Sequence, residues 1–252
     1  MKKILISIVF LLLAIGLSNC TELKRAKVII PPSLIGMKKV TSTLYVEKSM
    51  DKIKIKKIKE AIPKANRYVS DIYGEVTTTP TIYACQSEAC AKSLGLDGKM
   101  IAVRLLGHLI LTEKGINKEI ISHEWSHEEL YERIGGFYHW YKEIPSWFDE
   151  GLASLTMQKY SRHDESAWEK IKNDNIPYPK KNELLTSSQW SKAIHKYLNN
   201  DDIAVPYAVA RHMVSQWYRK VGQEGLLKLL DGIKKGKKFE ELCDRADENI
   251  QE

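Results

Sequence analysis

The chain has 252 residues and a mass of 28.9 kDa, enough for one large or two small domains with a self-sufficient core. Hydrophobic residues make up 43% of the sequence and charged residues 28%, with 14 glycines and 8 prolines. This composition excludes a disordered chain, a collagen-like repeat and a small disulfide-dense scaffold. A mean hydropathy of -0.34 excludes a polytopic membrane protein, and the net charge of +7 permits anionic partners without demonstrating one.

The N-terminal segment has the pattern of an export signal. Lys2 and Lys3 precede an apolar run over residues 4–17, which is too short to span a bilayer but has the length of a signal-peptide core. The run ends in Leu-Ser-Asn-Cys at Cys20, which resembles a bacterial lipobox with asparagine in place of the usual small residue. We expect residues 1–19 to be a signal peptide and lipidated Cys20 to anchor an exported lipoprotein to the membrane on its periplasmic or cell-surface face. An uncleaved anchor and ordinary secretion are the alternatives.

The remaining cysteines, Cys85, Cys90 and Cys243, are odd in number, so at most one disulfide forms within the chain. In an oxidising compartment we expect Cys85 to pair with Cys90, because closing so short a loop costs little entropy. Pairing of Cys243 with either is the alternative, and the cysteine left over is expected to be a buried thiol. None of the spacings indicates a zinc site built from cysteines.

The first half of the chain predicts strands and one helix. Residues 20–40 mix charges with two prolines and show no period, so they are predicted to be a linker. Alternating residues predict strands at Thr41–Val46 and Thr79–Ala84, and a third within Met100–Thr112. Between the first two, apolar residues recur at steps of three and four from Ile55 to Ile72, which predicts an amphipathic helix.

Two features of this predicted helix are notable. Pro63 lies inside it and is expected to kink or restart it. Its N-terminal lysines lie on what we interpret as a solvated face, and we assign them no function. Nucleic-acid binding through these lysines is not expected, because an exported protein does not meet nucleic acid.

After Thr112 the pattern changes to helices. They are predicted at Asn117–Ile134, Ser146–Ser161 and Pro206–Val221, with a Ser-x-x-Asp capping pattern at Ser146 and proline in the first turn of the last. Strands mostly first and helices mostly last indicate an α+β fold. We therefore expect one domain over residues 41–246, with a β-rich half (41–135) and a helical half (136–246). A C-terminal tail (247–252) follows the domain.

A possible metal site lies in the Asn117–Ile134 helix, where the sequence reads His-Glu-Trp-Ser-His from His123 to His127. The two histidines are four residues apart, so both project from one helix face and can share a metal ion. Glu124 lies close to the same side and can accept a proton from a metal-bound water, as in metal-assisted hydrolases. The metzincin pattern is excluded, because its glycine and third histidine are replaced by Leu130 and Arg133.

The third ligand is expected from the next helix, which contains Trp-Phe-Asp-Glu-Gly-Leu-Ala with Glu150 as its glutamate. Together with the histidine motif, this segment resembles the gluzincin metallopeptidases, and in particular the peptidase MA-like group. The resemblance implies a zincin-like fold in which His123, His127 and Glu150 bind one zinc ion and Glu124 is the general base. His139 is the next candidate ligand. Asp149 is interpreted as a helix cap, and Gly151 as the point where this helix approaches the histidine helix.

Other expectations come from the same resemblance. Tyr207 opens a helix similar to one in peptidase MA-like proteins, some of which use a tyrosine to stabilise the oxyanion; a buried structural tyrosine is the alternative. Some members carry an acid that orients a histidine at the position of Ser154. The strand Gly107–Leu111 corresponds to one that pairs with substrate backbone. The Gly-x-Met-Glu-Asn signature of aminopeptidases does not occur before His123, which favours an endopeptidase.

We therefore expect a zinc metallopeptidase that cleaves peptide or protein substrates outside the cytoplasm. The alternative is an exported lipoprotein with a binding or assembly role, whose zinc only stabilises the fold. Retention of Glu124 argues against this alternative, because a structural site needs no base. Four further histidines are interpreted as surface or core residues: His108, His163, His195 and His212.

Overall fold

The computed structural model describes residues 30–96, 100–158, 160, 162–197 and 203–248. The protein is α+β with a five-stranded mixed sheet, as the order of the predicted elements indicated. The predicted signal peptide, Cys20 and the last four residues of the tail lie outside the described residues. No helix within the described part of the chain is long and apolar enough to cross a membrane.

The structure contains five strands and nine α-helices in its described residues. The strands are β1 (Met37–Lys39), β2 (Leu44–Glu47), β3 (Thr81–Ala84), β4 (Ala102–Leu105) and β5 (His108–Leu111). The helices are α1 (Lys52–Tyr73), α2 (Glu88–Ser93), α3 (Lys118–Arg133), α4 (Phe137–Glu143), α5 (Ser146–Thr156), α6 (Glu165–Asn173), α7 (Ser187–Tyr197), α8 (Val205–Lys234) and α9 (Phe239–Glu248).

The chain forms two compact units that are discontinuous in sequence. The first contains the described residues up to Ile55 together with the described residues of 81–116, and therefore the whole sheet. The second contains Lys56–Pro80 together with the described residues from Asn117 onward, and therefore α3 to α9.

The sheet of the first unit has the strand order β1-β2-β3-β5-β4. β5 pairs in parallel with β3, where Ile110 lies opposite Tyr83, and antiparallel with β4, where Ile110 lies opposite Val103. Because both edges of β5 are already paired, the expectation that Gly107–Leu111 adds a substrate strand is wrong. The edge of the sheet at this end is β4.

The predicted strand within Met100–Thr112 is a hairpin rather than one strand. β4 and β5 are joined by Leu106 and Gly107, whose φ angles are 49° and 75°. Two consecutive residues with positive φ form the tight turn that suits a two-residue hairpin. The alternation of apolar residues continues on both sides of this turn, which is why the pattern alone did not separate the strands.

The core of the first unit includes residues that were predicted to be linker. Met37 lies in β1 with 1% of its surface exposed, in one apolar cluster with Cys85 and Ile110. The linker prediction is therefore wrong for residues 37–39, because a strand of only three residues leaves too short a pattern to detect. The predicted disulfide is confirmed: Cys85 is bonded to Cys90, at the start of α2, while Cys243 has a buried thiol.

The four predicted helices differ from their predictions mainly at their ends, whereas α2, α4, α6, α7 and α9 were not predicted. α1 runs through Pro63 as one helix, and α5 ends at Thr156 rather than Ser161. The long helix α8 continues beyond Val221, with a break in helical geometry at Gly222, where φ is 63° and ψ is -168°. The predicted C-terminal end of this helix therefore corresponds to a kink.

Candidate metal centre

The histidine helix α3 has well-defined ends. At its N-terminus the Asn117 side chain accepts a hydrogen bond of 2.8 Å from the N–H of Ile120, as expected of an N-cap. At its C-terminus the N–H of Gly136 bonds the carbonyl of Tyr131, and Gly135 has a positive φ of 84°. This glycine-terminated ending stops the helix two turns after the histidines.

The face of α3 opposite the histidines is held by a buried carboxylate. Glu129 is fully buried and accepts hydrogen bonds from the backbone and hydroxyl groups of Thr77 and Thr78 at 2.7–3.2 Å. The Nε of Arg133 donates a further bond of 2.6 Å. Burial raises the pKa of Glu129, but these hydrogen bonds outweigh it and lower the pKa below its usual value. The rotation of α3 about its axis is thereby fixed.

The glutamate helix α5 is positioned by aromatic packing. Phe148 is fully buried, with its ring centroid 5.7 Å from that of Trp147, 5.3 Å from that of Trp217 and 4.8 Å from that of Phe239. Edge-to-face contacts at such distances stabilise a packed core. The apolar residues of the Trp-Phe-Asp-Glu motif therefore anchor the helix that carries Glu150.

Gly151 does not have the role predicted for it. A Cβ atom at this position would overlap the carbonyl oxygen of Ala210 and lie 2.6 Å from Cγ2 of Val214. Gly151 therefore allows the close approach of α5 to α8, and the atoms nearest to its Cβ position belong to α8 rather than α3. Gly151, which follows Glu150, thus packs against α8, the helix that begins near Tyr207.

His123, His127 and Glu150 converge as predicted. The Nε2 atoms of His123 and His127 are 3.2 Å apart, and Oε2 of Glu150 is 3.4 Å from the first and 3.8 Å from the second. All three side chains are largely buried, with 9%, 15% and 21% of their surface exposed. The three atoms form a nearly equilateral triangle that could hold a metal ion.

The triangle fits a tetrahedral cation. With bonds of about 2.0–2.1 Å at tetrahedral angles, two ligand atoms of zinc lie about 3.3–3.4 Å apart. The Oε2 atom of Glu150 is buried, yet it accepts no hydrogen bond from the part of the chain that the structure describes. A buried carboxylate oxygen without a donor is destabilising unless a cation binds it.

Asp149 is not a helix cap. α5 has Pro145 at its N-cap, and no side chain caps it. Instead, Oδ1 of Asp149 lies 2.6 Å from Nδ1 of His127, and its Oδ2 accepts a hydrogen bond of 2.8 Å from the indole Nε1 of Trp140. The sequence offered one signal for this contact, which was the position of Asp149 next to Glu150.

The carboxylates give the site a negative potential. Burial disfavours the charged imidazole of His127, but the carboxylates of Asp149, Glu150 and Glu124 outweigh it and raise the pKa of His127 to about 10. A site that so favours a proton on His127 also favours a metal cation at the same atoms. Glu124, which is half-buried, lies close enough to His127 and Tyr207 for its charge to act on both.

Tyr207 lies beside the site at the start of α8. Its ring centroid is 6.0 Å from that of His123 and 5.1 Å from that of Trp190. Burial, together with the charges of Glu150 and Glu124, raises the pKa of Tyr207 above its usual value. The phenol is therefore protonated and able to donate a hydrogen bond.

His163 also belongs to these surroundings, although its sequence context gave no signal for it. Its ring stacks on that of Tyr207, and its Nδ1 is 3.4 Å from Oγ of Ser154. Ser154 thus contacts a histidine, as the acid of some gluzincins does, but this histidine is not one of the three convergent residues. Of the other histidines, His139 lies on α4 outside the triangle, and His212 bonds Glu165.

A comparison of the chain with protein-family models finds no matching family, and a comparison with curated proteins finds no match.

Proposed function

We propose that this protein is a zinc-dependent metallopeptidase of gluzincin type with a zincin-like fold. The observation that carries the proposal is the triangle of His123, His127 and Glu150, with the half-buried carboxylate of Glu124 close to it. Two nitrogens and one carboxylate oxygen are the ligand set of catalytic zinc sites that keep an open fourth position. The resemblance of both motifs to those of gluzincins supports the same assignment.

Each residue of the site has a role that follows from its chemistry. A bound zinc ion supplies a Lewis acid that polarises a peptide carbonyl and makes water more acidic. Glu124 takes the proton of the attacking water and delivers it to the nitrogen of the leaving amine. Tyr207 keeps its proton because its pKa is raised, so it donates a hydrogen bond to the developing oxyanion.

The substrate proposed is an internal peptide bond of a peptide or protein. The sequence before His123 lacks the signature with which aminopeptidases bind a free amine. Location outside the cytoplasm, with attachment through lipidated Cys20, is proposed from the N-terminal sequence. Replacement of Cys20 by serine should release the protein from the membrane fraction, and an unchanged membrane fraction would indicate an uncleaved anchor instead.

The test combines metal content with peptide hydrolysis. Wild type, Glu124→Gln and Glu150→Ala are purified, analysed for zinc and incubated with an unstructured protein with and without chelator. Glu132→Gln, an exposed residue of α3, and Glu169→Ala, an exposed residue of α6, are the matched controls. Wild type and both controls should contain about one zinc per chain and cleave the substrate in a chelator-sensitive manner.

The variants separate the two candidate functions. Glu124→Gln should retain zinc while losing several orders of magnitude in hydrolysis, and Glu150→Ala should lose zinc affinity. Zinc in the wild type without any hydrolysis would favour the non-catalytic envelope lipoprotein. A fully active Glu124→Gln would overturn the mechanism, and a wild type that binds no metal would overturn both functions.

A further inference from the structure

A chain of two hydrogen bonds links α4 to the metal site. The indole N–H of Trp140 donates to Oδ2 of Asp149 at 2.8 Å, and Oδ1 of the same carboxylate lies 2.6 Å from Nδ1 of His127. Asp149 has 8% of its surface exposed. α4 itself has no buried residue over its seven positions, so the Trp140 bond is a specific contact rather than a result of core packing.

Asp149 and Glu150, two consecutive acidic residues of α5, lie near different ring nitrogens of His127. Glu150 lies on the side of Nε2, at 3.8 Å, and Asp149 contacts Nδ1. An imidazole can present a lone pair at Nε2 only if its remaining proton is on Nδ1. A carboxylate at Nδ1 accepts that proton in a hydrogen bond, and so favours the tautomer in which Nε2 binds metal.

We infer that Asp149 and Trp140 are positioning residues for the metal ligand His127. Asp149 holds the imidazole in its metal-binding tautomer and orientation, and Trp140 holds the carboxylate of Asp149 in the rotamer that does so. The inference rests on the proposed metal site but requires nothing of the substrate or of catalysis. His123 differs from His127, because its buried Nδ1 has no hydrogen-bond partner among the described residues.

The donors around Asp149 make a sharp test possible. Trp140 and the Nδ1–H of His127 both donate, so the residue between them must offer two acceptors, which a carboxylate does. An asparagine offers one oxygen and one NH₂ group, so its NH₂ group must face one of the two donors. If Trp140 is replaced by phenylalanine, one of the two donors is absent. The asparagine oxygen can then face His127 without its NH₂ group facing another donor.

The experiment measures zinc affinity by competition with a chromophoric chelator. The proteins compared are the wild type, Asp149→Asn, Trp140→Phe and the double variant, with Asp174→Asn and Trp168→Phe as matched controls outside the site. Asp149→Asn should weaken zinc binding by roughly 10- to 100-fold, and Trp140→Phe by a smaller factor. The double variant should bind zinc more tightly than Asp149→Asn alone, because one substitution relieves the conflict created by the other.

A spectroscopic measurement covers the case in which Asp149→Asn does not fold. In the zinc-loaded wild type, a nitrogen-15 spectrum of the histidine rings should show His127 protonated at Nδ1, and Trp140→Phe should shift this signal whereas Trp168→Phe should not. Wild-type zinc affinity in Asp149→Asn, a double variant weaker than both single variants, or an unshifted signal in Trp140→Phe would each overturn the inference while leaving the proposed function intact. A wild type that binds no zinc would overturn both.

Discussion

The ring of His163 stacks on the ring of Tyr207, with the centroids 4.8 Å apart and the planes 6° from parallel. Burial lowers the pKa of His163 well below its usual value, so the imidazole is uncharged near neutral pH. Burial raises the pKa of Tyr207 instead, so both rings are neutral. The stack holds the ring of Tyr207 beside the candidate metal site.

The first prediction concerns Tyr207 as oxyanion donor. Tyr207→Phe keeps the ring and its stacking on His163 but removes the hydroxyl. Loss of an oxyanion donor typically lowers kcat by about 10²–10³-fold, and we expect a fall of this size in peptide hydrolysis with a small change in KM. Zinc content should not change.

The control for this prediction is Tyr178→Phe, because Tyr178 is an exposed tyrosine outside the site. Its kcat should equal that of the wild type. If Tyr207→Phe also retains wild-type kcat but unfolds more readily, Tyr207 is a structural residue, which is the alternative that the sequence left open.

The second prediction concerns the buried carboxylate of Glu129. Glu129→Gln leaves an NH₂ group among five donors, so we expect the free energy of unfolding at neutral pH to fall by about 3 kcal/mol. Urea unfolding followed by circular dichroism measures the change. Glu132→Gln, at an exposed position of the same helix, should have the stability of the wild type.

The third prediction is the pH dependence of this effect. Because the pKa of Glu129 is lowered in the folded protein, its ionised form stabilises the fold at pH values above its unfolded pKa of about 4.3. This stabilisation is lost as the pH falls through the folded pKa. The stability difference between wild type and Glu129→Gln should therefore be constant near neutral pH and shrink below about pH 4. If the stability difference between wild type and Glu129→Gln does not shrink in acid, the charge of Glu129 is not the source of that difference.

The fourth prediction tests the close approach of α5 to α8. Gly151→Ala places a Cβ atom against the carbonyl oxygen of Ala210 and Cγ2 of Val214. Overpacking of this kind typically costs about 1–3 kcal/mol, and the shift of α5 should also weaken zinc binding at Glu150. Thermal unfolding and chelator competition measure the two effects. Adding Val214→Ala should recover part of the zinc affinity, whereas wild-type behaviour of Gly151→Ala would contradict the observed packing.

The fifth prediction concerns the disulfide of the first unit. Replacing Cys85 and Cys90 together by alanine removes the constraint on a short loop, which in the chain-entropy model lowers stability by roughly 2 kcal/mol. A reducing agent should destabilise the wild type similarly and leave the double variant unchanged. Equal effects of the reductant on both proteins would show that it acts elsewhere.

Local patterns in the sequence predicted α1, α3, α5 and the first part of α8, but not the shorter helices α2, α4, α6, α7 and α9. The start of α3 next to Asn117, the start of α5 at Ser146 and the facing histidines of α3 depend on interactions and periodicity within a few residues, although the capping pattern expected at Ser146 is not formed. These features could be predicted because each depends on neighbours in the chain. The choice of Glu150 came instead from the resemblance of its motif to that of the gluzincins.

Other features depended on segments far apart in sequence, and only the tertiary structure decided them. The sequence did not show that β5 is paired on both edges, that Gly151 faces α8 or that His163 stacks on Tyr207. Asp149 is the clearest case, because its spacing suits a helix cap equally well. Its contact with His127 exists because packing brings α5 against α3, and Trp140 completes it from α4. The sequence by itself determined which groups are available as ligands and bases, and packing between distant segments decided which of them meet.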